Sequence, residues 1–236
     1  LPILVGMSLL SAIPLGIVMN ITSDRQDLYH AVINEIGQSW GPQQRISGPV
    51  LIIPYRYLVI QEKINDAGEP VKFKSEYQNE LVILPKHLSL DMDLKHDFRS
   101  RGIYQSLVYN ASVTGKAKFV LPRFDIPNLV ELKTDKARIV FGVSANQGIE
   151  KIEKFITLSD SGEILLTQTD TGIMSGTGLE LQQGLERGFH QPILLDLKQE
   201  KFEVEFAVTL RGSQSISALP LGEHTDIQIT TDWPHP

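Results

Sequence analysis

The first 23 residues, 1–23, carry no charged side chain, and this constrains the chain more than anything after it. The run LPILVGMSLLSAIPLGIVMNI is too long and too apolar to lie on the surface of a soluble domain. As a helix, about 20 such residues cross the ~30 Å hydrocarbon core of a bilayer. Pro2, Gly6, Pro14 and Gly16 fit that reading, because Gly and Pro are more frequent in membrane helices than in soluble ones. A cleaved secretory signal is the main rival. It has a shorter apolar core and small residues before its cleavage site, whereas Met19-Asn20-Ile21-Thr22-Ser23 has no A-x-A-like pattern. A buried core helix is the other rival, and the length opposes it. The run therefore predicts a transmembrane helix over residues 1–23, with the lipid bilayer as its partner. The chain starts at Leu1, so a charged segment upstream is expected. The flank that is present, Asp24-Arg25-Gln26-Asp27, has no positive excess, which predicts that the rest of the chain lies outside the cytoplasm.

The remaining sequence has an ordinary water-soluble composition. A net charge of −6, with Lys and Arg scattered, gives no basic stripe for phosphates and argues against a nucleic-acid partner. There is no cysteine, which excludes disulfides, thiol nucleophiles and Cys-ligated zinc. Roughly 200 residues suffice for one domain with a substantial core.

Residues 24–40 read as a helix, with Leu28, Val32, Ile36 and Trp40 recurring every four residues and Tyr29 and Ile33 widening the stripe. Gly41-Pro42 ends it. It adjoins the apolar run without a linker, so residues 24–41 are expected to continue the membrane helix as an amphipathic one. From residue 42 to 236 the period becomes two. VLIIPYRYLVIQEKI and VKFKSEYQNELVILP around Asn65-Asp66-Ala67-Gly68-Glu69 read as a long hairpin. In 88–98, Leu88, Leu90, Met92 and Leu94 alternate with polar residues, the pattern of a strand with one wet face. Further strands are expected over 103–121, 137–145, KFITL and EILLT around Asp160-Ser161-Gly162, PILLDL, KFEVEFAVTLRG and TDIQITTDW. The Gly-rich stretch 170–190 reads as a loop. The fold class is mainly β, a β-sandwich-like domain behind a transmembrane helix.

Candidate chemistry is sparse. Asp170-Thr171-Gly172 matches the triplet of aspartic proteases, but those need two carboxylates sharing a proton and no second copy is present. Asp91, Asp93 and Asp97, with His87 and His96 close by, suggest a cation site on one strand face. A solvated face explains them more simply, and Lys95 on that face opposes a cation. His30, His190, His224 and His235 lack zinc spacing. Asn20-Ile21-Thr22 and Asn110-Ala111-Ser112 match a glycosylation pattern too short to count alone. No nucleophile elbow or phosphate-binding glycine loop occurs. No catalytic, cofactor-binding or metal residues are therefore assigned, and no cofactor or enzymatic activity is expected.

Several distinctive stretches remain. They are Ser47-Gly48-Pro49 with Ile53-Pro54, Arg101-Gly102-Ile103-Tyr104, and Val108-Tyr109-Asn110-Ala111 with Gly115 and Phe119. Further on come Ser175-Gly176-Thr177-Gly178-Leu179-Glu180, Arg211-Gly212-Ser213, Pro220-Leu221-Gly222 and Asp232-Trp233-Pro234-His235-Pro236. In this order, and with the apolar run, the chain resembles the CreD family of bacterial inner-membrane proteins linked to cell-envelope integrity. The resemblance implies a membrane helix, a large periplasmic domain and further membrane helices, so the chain is expected to be a fragment. It also implies a link to a two-component regulator and to tolerance of a colicin and of cell-wall antibiotics, with no agreed reaction. The residues themselves suggest structural roles: a bend at Gly102, Tyr104 and Tyr109 on opposite strand faces, and Trp233 at a membrane interface. Together these features indicate an envelope protein whose periplasmic β-domain binds a protein, lipid or cell-wall component. The alternatives are an envelope hydrolase using Asp170 or the Asp91, Asp93 and Asp97 group, and the ectodomain of a transporter.

Overall fold

A computed structural model describes residues 23–64, 70–159, 172–177 and 187–233. The apolar run up to Thr22, the 65–69 turn, the EILLT segment, Asp170-Thr171, Gly178-Leu179-Glu180 and Pro234-His235-Pro236 lie outside the described residues. No helix among the described residues is long and apolar enough to cross a membrane.

The chain is mainly β and builds two sheets. The strands are β1 (Gln44–Ile64), β2 (Pro70–Ile83), β3 (His87–Arg101), β4 (Tyr104–Val120), β5 (Leu129–Leu132) and β6 (Ala137–Val143). They continue as β7 (Ile149–Ser159), β8 (Met174–Ser175), β9 (Gly188–Ile193), β10 (Lys201–Ser213), β11 (Ile216–Ala218) and β12 (His224–Thr231). One sheet runs β11-β1-β6-β9-β8, with β2 and β5 also paired to β1, and the other runs β12-β3-β4-β10-β7. We call these sheets A and B. Two expectations change. The strand predicted from PILLDL begins earlier, at Gly188, and ends at Ile193; the 170–190 stretch also contributes β8, which pairs Met174 with His190. Both changes come from pairing with distant chain, which local periodicity does not encode.

The alternating strands place their apolar sides between the sheets. On β3, Leu88, Leu90, Met92 and Leu94 are all buried. The centre of the sandwich is aromatic: Phe141 and Phe189 of sheet A stack with centroids 5.2 Å apart, and Phe206 lies 5.2 Å from Phe141. Phe155 meets the ring of Phe189 edge-on at 5.0 Å. Such offset and edge geometries add to the stabilisation from burial itself.

The helix predicted over 24–40 is present through residues 23–40, and its buried side chains are Ile33 and Ile36. It lies on the outward face of sheet B at one pole. Tyr29 meets Tyr104 edge-on at 5.9 Å, Glu35 is ion-paired with Arg101, and Arg99 stacks over Trp40 at 4.2 Å. From the opposite pole β1 and β2 continue as a two-stranded arm, paired from Tyr57↔Tyr77 to Ile64↔Pro70. The arm is roughly 23 Å long at strand rise. One of its faces carries Tyr57, Val59, Phe73 and Tyr77; the other mixes Leu58, Ile60 and Ile64 with Glu62, Lys72, Lys74 and Glu76, and at its base Arg56 bridges Glu76 at 3.0 Å and Glu131 at 2.7 Å.

Candidate functional site

The outward face of sheet B holds the carboxylates that the sequence singled out. Asp91 stands opposite Thr114 on β4 and Gln228 on β12, and Asp93 stands opposite Ser112 and Thr230. Their cross-strand neighbours are hydroxyls and an amide, not further carboxylates. The Asp97 carboxylate accepts the Phe98 amide N–H at 2.8 Å and pairs with Arg99 at 3.4 Å. Among the described residues no three His, Asp or Glu side chains converge in a way that could hold a metal ion.

The histidines separate. His96 does not share the wet face of Asp91 and Asp93, because its even position turns it inward with Met92 and Leu94. Its ring lies 2.7 Å from Asp232, whose carboxylate also accepts the His96 backbone N–H at 3.0 Å. These bonds lower the Asp232 pKa, the side-chain bond contributing most. His87 meets His224 edge-on at 5.0 Å because β12 lies parallel to β3 with these residues paired. The His190 Nδ1 lies 2.6 Å from the Gly176 carbonyl, where its protonated tautomer donates, and His30 rests on Tyr29. Each pair joins residues remote in sequence or on one helix turn, so spacing gave no signal for the first three.

Charges on sheet B are cross-strand ladders. Glu205 accepts hydrogen bonds from Lys116 at 2.5 Å and from Lys154, which together hold its carboxyl at about 2, well below the usual range. An open cleft of about 670 Å³ sits above it, edged by Asp91, Asp226, Lys116 and Lys154. A second, of about 520 Å³, lies at the arm pole among Lys86, His87, Lys118 and Lys201. Charged side chains edge both, and Phe119, Val120 and Phe202 also line the second.

The motif residues converge at the other pole. Arg211, Gly212 and Ser213 pair directly with Asn110, Tyr109 and Val108, although about a hundred positions separate the two segments. The Tyr109 hydroxyl donates to the Ser215 carbonyl at 2.6 Å, and burial pushes its pKa well above the ordinary tyrosine value. Gly212 is required by close approach, since a Cβ there would overlap the Tyr109 ring. The Trp40 indole N–H donates to the Tyr109 carbonyl at 3.4 Å, while Arg211 lies 5.3 Å over the indole. Tyr104 and Tyr109 do face opposite ways: Tyr109 into the sandwich, Tyr104 toward the helix. Arg101↔Tyr104 closes the β3–β4 hairpin through Gly102-Ile103. Gly102 has φ +61°, the left-handed conformation that the first central position of such a two-residue turn favours. It therefore turns the chain rather than bending one strand. Trp233 comes directly after the Asp232–His96 contact, five residues short of the hairpin end.

These features define a two-sheet β-sandwich with a helix fixed to one face and both ends of the described chain directed toward the same pole. The chain belongs to the CreD family, whose profile, described as "Inner membrane protein CreD", matches residues 1–236. Inner membrane protein CreD of Escherichia coli (strain K12) is 28% identical over 234 residues, covering 99% of this chain and 48% of that protein. The chain thus spans about half the length of the curated relative it matches. No solved structure matches it.

Proposed function

We propose that this chain is the anchored, extracytoplasmic part of an inner-membrane protein that supports cell-envelope integrity, including colicin tolerance. In this reading residues 1–23 cross the bilayer, the helix over 24–41 carries the chain out, and residues 42–236 form a periplasmic domain. That domain works by binding an envelope protein, lipid or cell-wall component, not by catalysis. One observation carries the reading. The uncharged run leads directly into a helix fixed to the sandwich, and β12 runs back toward the same pole. A domain with both ends at one pole suits insertion between membrane segments. Membership of a family described as inner-membrane protein supports it.

Two measurements test this. Deleting the gene should sensitise a bacterial host to detergent and colicin, and unchanged sensitivity would sink the envelope role. These 236 residues contain no cysteine, so a Phe73→Cys variant of this chain can be probed with a membrane-impermeant maleimide in spheroplasts. Labelling without lysis is expected, and labelling only after lysis would place the domain in the cytoplasm.

A further inference from the structure

The β3–β4 turn presents a large apolar side chain where turns normally carry polar ones: Ile103 is 91% exposed. Phe98, on the same hairpin, is half exposed. The helix runs alongside. From Tyr29 to Trp40 it covers about 16 Å at 1.5 Å per residue, and from Tyr104 to Tyr109 strand β4 covers about 17 Å. Since Tyr29 touches Tyr104 and Trp40 touches the Tyr109 carbonyl, helix and hairpin are nearly parallel over this length. The helix then extends from Tyr29 back to Ser23, about 9 Å further. The uncharged run ends at that point. The hairpin turn lies about one residue beyond Tyr104, so Ile103 stands roughly 6 Å short of Ser23 along the axis. The headgroup layer on each side of a bilayer is about 5–7 Å thick.

We infer that the Gly102-Ile103 turn is a second membrane contact, seated in the headgroup layer beside the N-terminal anchor. The inference rests on the anchored reading above. Its occupant is the lipid surface itself, because the uncharged run brings that surface to within one headgroup thickness of Ile103. The contact is apolar, not electrostatic. Arg25, Arg99 and Arg101 at this pole are interspersed with Asp24, Asp27, Glu35 and Asp97, and two of the arginines are already paired with Glu35 and Asp97. The turn holds the sandwich at a fixed tilt, with the arm directed away from the bilayer.

The test uses the whole chain in vesicles of phosphatidylethanolamine and phosphatidylglycerol. Single-cysteine variants Ile103→Cys, Phe73→Cys on the arm and Leu15→Cys in the apolar run are labelled with an environment-sensitive fluorophore. Lipids carrying a quencher near the headgroup should quench the label at position 103 at least twofold more than the label at 73. Raised salt should leave that ratio unchanged. If the label at 15 is quenched by lipids carrying the quencher deep in the acyl chain and the label at 103 behaves like that at 73, the turn contact is wrong and the anchor stands. If the acyl-chain quencher does not reach the label at 15 either, the anchored reading fails and the turn contact with it. Loss of the position-103 signal in high salt overturns the apolar mechanism.

Discussion

Replacing Trp40 by alanine should release the helix from sheet B while leaving the sandwich folded. The indole is half-buried and lies under two guanidinium groups, Arg99 at 4.2 Å and Arg211 at 5.3 Å. Each cation–π contact at a partly exposed site contributes about 0.5–1 kcal/mol. The hydrogen bond to the Tyr109 carbonyl, at 3.4 Å, is long and adds about 0.5 kcal/mol. Burying half an indole contributes about 1–1.5 kcal/mol more. The loss is then about 2.5–4 kcal/mol, which multiplies the undocked population roughly 60- to 700-fold. Ile33, Ile36 and the Arg101–Glu35 pair still hold the helix, so docking is weakened, not abolished. Hydrogen exchange of the whole protein in nanodiscs reads this directly. Amides over residues 33–40 should exchange faster by about that factor, while β4 and β10 keep their protection. Trp40→Phe should recover part of the effect by keeping a ring beneath Arg99. Equal acceleration across β4 and β10 would refute the reasoning, because Trp40 would then belong to the sandwich core. No acceleration in the helix would refute it the other way.

The same geometry sets three further outcomes. Phe141→Ala removes the ring that joins Phe155, Phe189 and Phe206 and should cost about 3–5 kcal/mol, read as a large fall in the denaturant midpoint; an unchanged midpoint excludes a packed aromatic centre. Glu205 has its folded pKa depressed to about 2, so its stabilisation is present above the unfolded value of about 4.3 and is lost as pH falls toward 2. Glu205→Gln should flatten acid unfolding over that window and cost under about 1 kcal/mol at neutral pH, because both lysine partners are half exposed. Tyr109 has a raised folded pKa, so its contribution is intact below about pH 10 and declines as pH rises beyond it. Tyr109→Phe should remove that alkaline slope in a stability titration and cost about 1–2 kcal/mol by orphaning the Ser215 carbonyl; a retained slope assigns it to another group.

Much of the architecture was legible in local pattern. The burial of Leu88, Leu90, Met92 and Leu94 reproduces the period-two reading, and the β1–β2 hairpin pairs as its turn residues implied. Short strands were not legible. Leu129–Leu132 and Ile216–Ala218 are too brief to show a period and exist because β1 offers them a free edge. The histidine pairs were invisible for a related reason: His96 meets Asp232, and His87 meets His224, only once β12 lies parallel to β3. Parallel pairing leaves no turn in the sequence to announce it. The acidic strand face was legible as solvated, but its real electrostatic feature was not. That feature is Glu205 between two lysines, each on a different neighbouring strand.

Part of the sequence that carries the family resemblance builds a structural joint. Tyr109, Gly212, Arg211 and Trp40 come from two strands and the helix, and they meet in one joint. Glycine lets β10 approach the Tyr109 ring, and the tyrosine hydroxyl secures the turn after β10. Arg211 and Arg99 then grip the indole that ends the helix. A joint of this kind fixes the angle between the helix and the sheet. Under the anchored arrangement proposed above, the angle at Trp40 sets how the sandwich stands with respect to the bilayer. Loosening the joint through Trp40→Ala should therefore impair envelope tolerance while the protein remains folded and at normal abundance. If that variant protects cells fully while its helix exchanges freely, orientation is not what the joint provides.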